Sequence, residues 1–135
     1  MSVKMDEKYG NPMTEKKILL AEDDPQSLAY LNIVLKSEGY SVIIAKNGED
    51  AVKISKETPD LALILMDIKM PKKSGLDATK EIRAFNADIP IIAQTAFALA
   101  GDKESIMNAG CNDYISKPFN RADIIEIVKK YVEQA

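Results

Sequence analysis

Residues 61–71 read L-A-L-I-L-M-D-I-K-M-P. An apolar run of strand length ends abruptly in an acid, Asp67, and Pro71 forbids a quick return to regular pairing. A buried parallel strand delivers a carboxylate to a sheet edge in this way. In open α/β sheets ligands bind beyond the carboxyl ends of the strands, so a charge at this point faces chemistry rather than core.

Working outward, Lys17–Ala21 (K-I-L-L-A) reads as a short buried strand that runs into three acids, Glu22, Asp23 and Asp24. Asp24 and Pro25 suit the N-cap and first turn of a helix, Leu28, Leu31 and Leu35 recur at helical spacing, and Gly39 supplies a stop. Tyr40–Ala45 reads as a second strand, followed by a helix from about Glu49 to Lys56, which Thr58-Pro59-Asp60 breaks. After the central strand come a helix over Leu76–Phe85, a strand over Ile91–Gln94 ending in Thr95, and a helix from about Gly101 to Ala109. A short fifth strand, Asp113–Ser116, ends at Lys117-Pro118, and a last helix runs from about Arg121 to Val132 with Ile124, Ile127, Val128 and Tyr131 inward. Strands alternating with helices call for a parallel sheet covered on both faces. Residues 1–15 are polar and aperiodic and read as a flexible lead or linker, with the domain proper over 16–135.

Composition narrows the chemistry. The 135 residues fit one domain, and 46% hydrophobic content can fill its core. A net charge of −3 without a Lys/Arg run argues against direct nucleic-acid binding. Histidine is absent, which removes imidazole bases, imidazole metal ligands and phosphohistidine from this chain. The single Cys111 makes no internal disulfide and reads as a small core hydrophobe, and no apolar signal segment or spanning run is present; a reduced, cytoplasmic setting is expected.

A sheet in the order 2-1-3-4-5 gathers Glu22, Asp23, Asp67, Thr95 and Lys117 at one edge. Carboxylates so close repel one another unless a divalent cation neutralises them. Hard oxygen donors without thiol or imidazole suit Mg²⁺, which binds through one or two carboxylates plus substrate oxygens and clamps phosphoryl groups. Neither a G-x-G-x-x-G nor a Walker pattern offers another phosphate site.

The motifs A-E-D-D-P (21–25), L-M-D-I-K-M-P (65–71), Q-T-A (94–96) and Y-I-S-K-P-F (114–119), in this order at four strand ends, resemble the receiver domain of two-component response regulators over Lys17 to about Val132. The resemblance implies a flavodoxin-like, doubly wound (βα)5 three-layer sandwich. It implies that Asp67 is the phosphoacceptor, that Asp23 binds Mg²⁺ with Glu22 assisting, and that the main-chain carbonyl of Lys69 is a further metal ligand. Thr95 would hydrogen-bond one phosphoryl oxygen and Lys117 pair with another, Tyr114 would be an aromatic switch, and the bond before Pro118 would be cis. The donor would be a histidine kinase or a histidine phosphotransfer protein, and the responding surface the fourth helix, fifth strand and fifth helix. Such a domain modifies itself and is not an enzyme acting on other substrates, and it is expected as a monomer or weak phosphorylation-dependent dimer, off the membrane. Phe97, two residues past Thr95, is expected to rim the pocket and slow loss of the phosphoryl group.

Two other readings compete. Phosphatases of the haloacid dehalogenase type also place a nucleophilic Asp after a central strand, but they need a second acid where this chain has Lys69. A receiver-like interaction module that accepts no phosphate would not need the full set of site residues. The chain is expected to be either a stand-alone regulator or a piece of a larger protein, and I-P-I-I-A-Q-T-A-F-A-L (89–99) is similar to receivers of hybrid sensor histidine kinases.

Overall fold

In the computed structural model the described residues are 4–6 and 11–13, as backbone, together with 16–96 and 101–133. Five parallel strands, β1 (Lys17–Ala21), β2 (Ser41–Ala45), β3 (Leu61–Asp67), β4 (Ile91–Thr95) and β5 (Asp113–Ser116), form one sheet in the order β2-β1-β3-β4-β5. Between and after them run α1 (Pro25–Ser37), α2 (Gly48–Glu57), α3 (Gly75–Phe85), α4 (Lys103–Ala109) and α5 (Arg121–Val132). The expected doubly wound order is thus the observed one.

Strand alternation sorts the core into two layers. Leu19 and Ala21 of β1, Ile64 and Met66 of β3, and Ile91 and Ala93 of β4 pack with Ala78 and Ile82 of α3 and Ile106 of α4. Their neighbours Ile18, Leu20, Leu63, Leu65 and Ile92 pack on the other side, with Leu31 and Leu35 of α1 and Ile124 and Val128 of α5. Each such side chain removed from water contributes about 1.5–3 kcal/mol. The central strand feeds both layers, which is why its sequence reads as one unbroken apolar run.

Local signals set the helix ends. Asp24 caps α1 by accepting from the Ser27 amide at 2.9 Å, and that hydrogen bond holds its carboxyl below the usual range. Asn47 caps α2 through the Asp50 amide, Ser74 caps α3 through the Asp77 amide, and Asn120 and Asp123 form a reciprocal box at α5. The fourth helix is shorter than expected: Gly101, predicted to open it, lies before it at φ 85°, and the helix starts at Lys103. Gly110 ends it in the left-handed region at φ 110°. Cys111 is buried as expected, and burial pushes its thiol up.

Within the N-terminal lead, Lys4–Asp6 pairs antiparallel with Asn11–Met13. Asn11 and Pro12 lie in this short ribbon; a two-stranded ribbon tolerates proline because no central ladder demands its missing N–H. Among the described residues, no helix is long and apolar enough to cross a membrane.

Candidate functional site

The carboxyl edge of the sheet is built by backbone bonds between neighbouring strand ends. The Glu22 amide donates to the Ala45 carbonyl at 2.9 Å, the Ile68 amide to Gln94 at 3.2 Å, and the Lys117 amide to Thr95 at 2.8 Å. These bonds fix the places where the side chains emerge. Below them the loop after β3 folds tightly back, with the Gly75 amide donating to the Ile68 carbonyl at 3.0 Å. A Cβ on Gly75 would stand 2.1 Å from the Asp67 carbonyl oxygen, so only glycine fits against the end of β3.

Six of the expected residues lie at this edge. Glu22, Asp23 and Asp67 bring carboxylate oxygens within 4.8 Å of one another. Glu22 and Asp67 are buried, whereas Asp23 is exposed. The Lys117 ammonium donates to Asp67 Oδ2 at 3.0 Å and to Glu22 Oε1 at 3.4 Å. Thr95 lies at the end of β4, opposite Ser116 in register. The Lys69 amide donates to Asp67 Oδ1 at 3.0 Å, while the Lys69 residue is exposed where a phosphatase of the competing type would need an acid. The Lys117-Pro118 peptide is cis.

Electrostatics follow from crowding. Burial, then the hydrogen bond that its protonated carboxyl donates to Asp67 and the charge of Asp67, push the Glu22 carboxyl up to about 7, against the lowering effect of the Asp24 amide and of Lys117. For Lys117, burial works to lower its value, but the hydrogen bonds and charges of Asp67 and Glu22 together prevail and hold it above its ordinary range. The Lys117 ammonium pairs with two of the three carboxylates, Glu22 and Asp67. Hard oxygen donors in this number, with a water-accessible Asp23, fit Mg²⁺.

One expected residue stands apart. Tyr114 is half-buried on β5, pairs with Ala93 in register and packs against the layer that holds α3 and α4. Phe97 falls outside the described residues. One neighbour of the site was not anticipated: Asp102, whose Oδ2 accepts from Thr95 Oγ1 at 2.8 Å. The signal is the Gly101-Asp102 pair before the fourth helix, which in sequence reads as no more than a helix start.

Residues 18–129 match the response regulator receiver domain. The chain belongs to that family. It is 39% identical over 123 residues to the polar-differentiation response regulator DivK of Brucella anthropi, covering 89% of this chain and 98% of DivK. It is 38% identical to hybrid signal transduction histidine kinase I of Dictyostelium discoideum, covering 93% of this chain but spanning only 8% of that kinase's length. Among solved structures, the receiver domain of a Pseudomonas aeruginosa sensor histidine kinase, with a magnesium ion in its active-site cleft, superposes at a TM-score of 0.84 with 39% identity, covering 90% of this chain and all (100%) of that one. The receiver domain of Saccharomyces cerevisiae Ssk1, crystallised with the histidine phosphotransfer protein Ypd1, gives a TM-score of 0.81 with 34% identity over 87% of this chain and 88% of that one. The chain is therefore a receiver domain of two-component signalling, a signalling domain and not a conventional enzyme.

Proposed function

We propose that this receiver takes a phosphoryl group on Asp67 from a phosphohistidine of a histidine kinase or histidine phosphotransfer protein. The observation that carries the reading is the pairing of Lys117 with Asp67 at 3.0 Å beside two further carboxylates at the same sheet edge. A carboxylate oxygen of Asp67 forms a bond to phosphorus while the donor's phosphorus–nitrogen bond breaks, its electron pair returning to the imidazole. The Lys117 ammonium, already at this spot, offsets charge on the phosphoryl oxygens, so the chain contributes mostly positioning and electrostatics. Glu22, Asp23 and Asp67, with the Lys69 carbonyl, would hold Mg²⁺, which supplies further neutralisation of phosphoryl charge when bound. Hydrolysis of the acyl phosphate by water returns Asp67 to a carboxylate and releases inorganic phosphate.

The Thr95 hydroxyl is then drawn to a phosphoryl oxygen, and Tyr114 takes up the space it leaves, biasing the surface of α4, β5 and α5. A shift from mostly off to mostly on requires a differential of roughly 5 kcal/mol. Residues 1–15 serve as a lead and 16–135 as the domain, working in the cytoplasm as a monomer or weak phosphorylation-dependent dimer, without direct contact with nucleic acid or membrane. The magnesium ion in the Pseudomonas aeruginosa receiver and the Ypd1 bound to Ssk1 support the metal and the kind of donor.

Incubation with Mg²⁺ and acetyl phosphate or phosphoramidate, read by intact mass, tests the reading. A Mg²⁺-dependent phosphoryl adduct that Asp67→Asn abolishes is expected. Steady release of phosphate from phosphoesters, or an adduct that survives Asp67→Asn, would overturn it.

A further inference from the structure

We propose that Asp102 is a latch: its carboxylate holds the Thr95 hydroxyl in the resting domain and must let go before that hydroxyl can serve a phosphoryl group, an inference that rests on the phosphoacceptor reading of Asp67. The bond runs from Thr95 Oγ1 to Asp102 Oδ2 at 2.8 Å. Thr95 is 1% exposed, so its hydroxyl cannot exchange the carboxylate for bulk water. A hydroxyl carries one proton to donate, and donation to a phosphoryl oxygen therefore requires departure from Asp102. A carboxylate acceptor makes such a bond the stronger, charge-assisted kind.

The helix that follows shows what the latch withholds. Asp102 occupies the N-cap position of α4, yet its backbone is helical at φ −60° and ψ −35° and its side chain makes no capping hydrogen bond. The caps of α1, α2, α3 and α5 each accept from the amide three residues on. Here the corresponding carboxylate is spent on Thr95, leaving the first turn of α4 without that stabilisation. Gly101 beside it adopts φ 85°. Once Thr95 leaves, the carboxylate becomes available to the Ser105 amide, so movement of one hydroxyl is exchanged for a cap on the fourth helix. Asp102 acts through Thr95 and is a positioning residue.

The test is the affinity for beryllofluoride in saturating Mg²⁺, followed by fluorine NMR, for the wild-type chain, Asp102→Ala and Asp102→Asn, each checked for folding by thermal unfolding. Asp102→Ala, with the competing acceptor gone, is expected to bind about tenfold tighter. Asp102→Asn keeps a neutral acceptor and is expected to lie between the two. Equal or weaker binding by a folded Asp102→Ala overturns the latch. Should Asp102→Ala fail to fold, the carboxyl carbon resonance of Asp102 in the wild-type chain decides: it shifts on beryllofluoride binding if the latch opens, and an unmoved resonance overturns the proposal. If the wild-type chain binds no beryllofluoride, the phosphoacceptor reading fails, while the latch is still judged by the Thr95 methyl resonance, which must move in Asp102→Ala.

Discussion

Mg²⁺ is expected to bind about tenfold more tightly at pH 8 than at pH 6, because the ion competes with a proton on Glu22. In the metal-free domain that carboxyl is raised to about 7, chiefly by burial and then by its hydrogen bond with Asp67. At pH 6 roughly nine-tenths of the molecules hold the proton and at pH 8 about one-tenth, which sets the ratio of about ten. Metal binding should accordingly release close to one proton at the lower pH and almost none at the higher. The same shift has a sign for stability. The folded chain keeps a proton that the unfolded chain, at its ordinary value of 4.5, has lost. Metal-free stability therefore falls as pH rises from about 4.5 to about 7, and saturating Mg²⁺ abolishes the fall. Isothermal titration calorimetry in buffers of different ionisation enthalpy counts the protons directly. An affinity that does not change with pH, or a Glu22→Gln variant with the wild-type slope, would refute the assignment of that proton to Glu22.

Lys117→Met removes the ammonium that lies 3.0 Å from Asp67 Oδ2; phosphorylation by acetyl phosphate is expected to slow about 100-fold while Mg²⁺ still binds, measured by intact mass and calorimetry. Gly75→Ala drives a methyl against the Asp67 carbonyl oxygen at 2.1 Å, which should cost about 3 kcal/mol, roughly 10 °C in Tm, and weaken Mg²⁺ binding by displacing Asp67. Phe97→Ala is expected to speed autodephosphorylation by admitting water; an unchanged lifetime of the phosphorylated chain would remove Phe97 from the pocket rim.

The parts of this molecule legible in its sequence are those written by local chemistry. The strand ending in Asp67 announces itself because six apolar residues stop at one acid, and alternation of short strands with helices leaves few topologies for the sheet. Asp24 is visible as a cap because it acts within three residues. What sequence hides depends on distance. Glu22 is placed beside Asp67 by the strand order, but its full burial there comes only with the closed sheet edge. Arg83 gives no sign in α3 that its guanidinium will bridge the Gly110 carbonyl and the Asn112 side chain, tying that helix to the turn before β5 across 27 and 29 residues. Asp102 likewise resembles a helix start until Thr95 is found against it.

The return of the chain after β3 bears on how such a domain can be re-engineered. Ile68 and Gly75 are stapled to each other by a main-chain bond, and Gly75 also rests on the Asp67 carbonyl, so residues 69–74 form a clasp of fixed circumference. Side chains at the exposed positions Lys69, Pro71 and Lys72 can be exchanged to alter the chemistry surrounding the carboxylate without moving it. Insertions and deletions there have no such freedom. A designer seeking a new phosphoryl lifetime should vary the letters of this loop and keep its count.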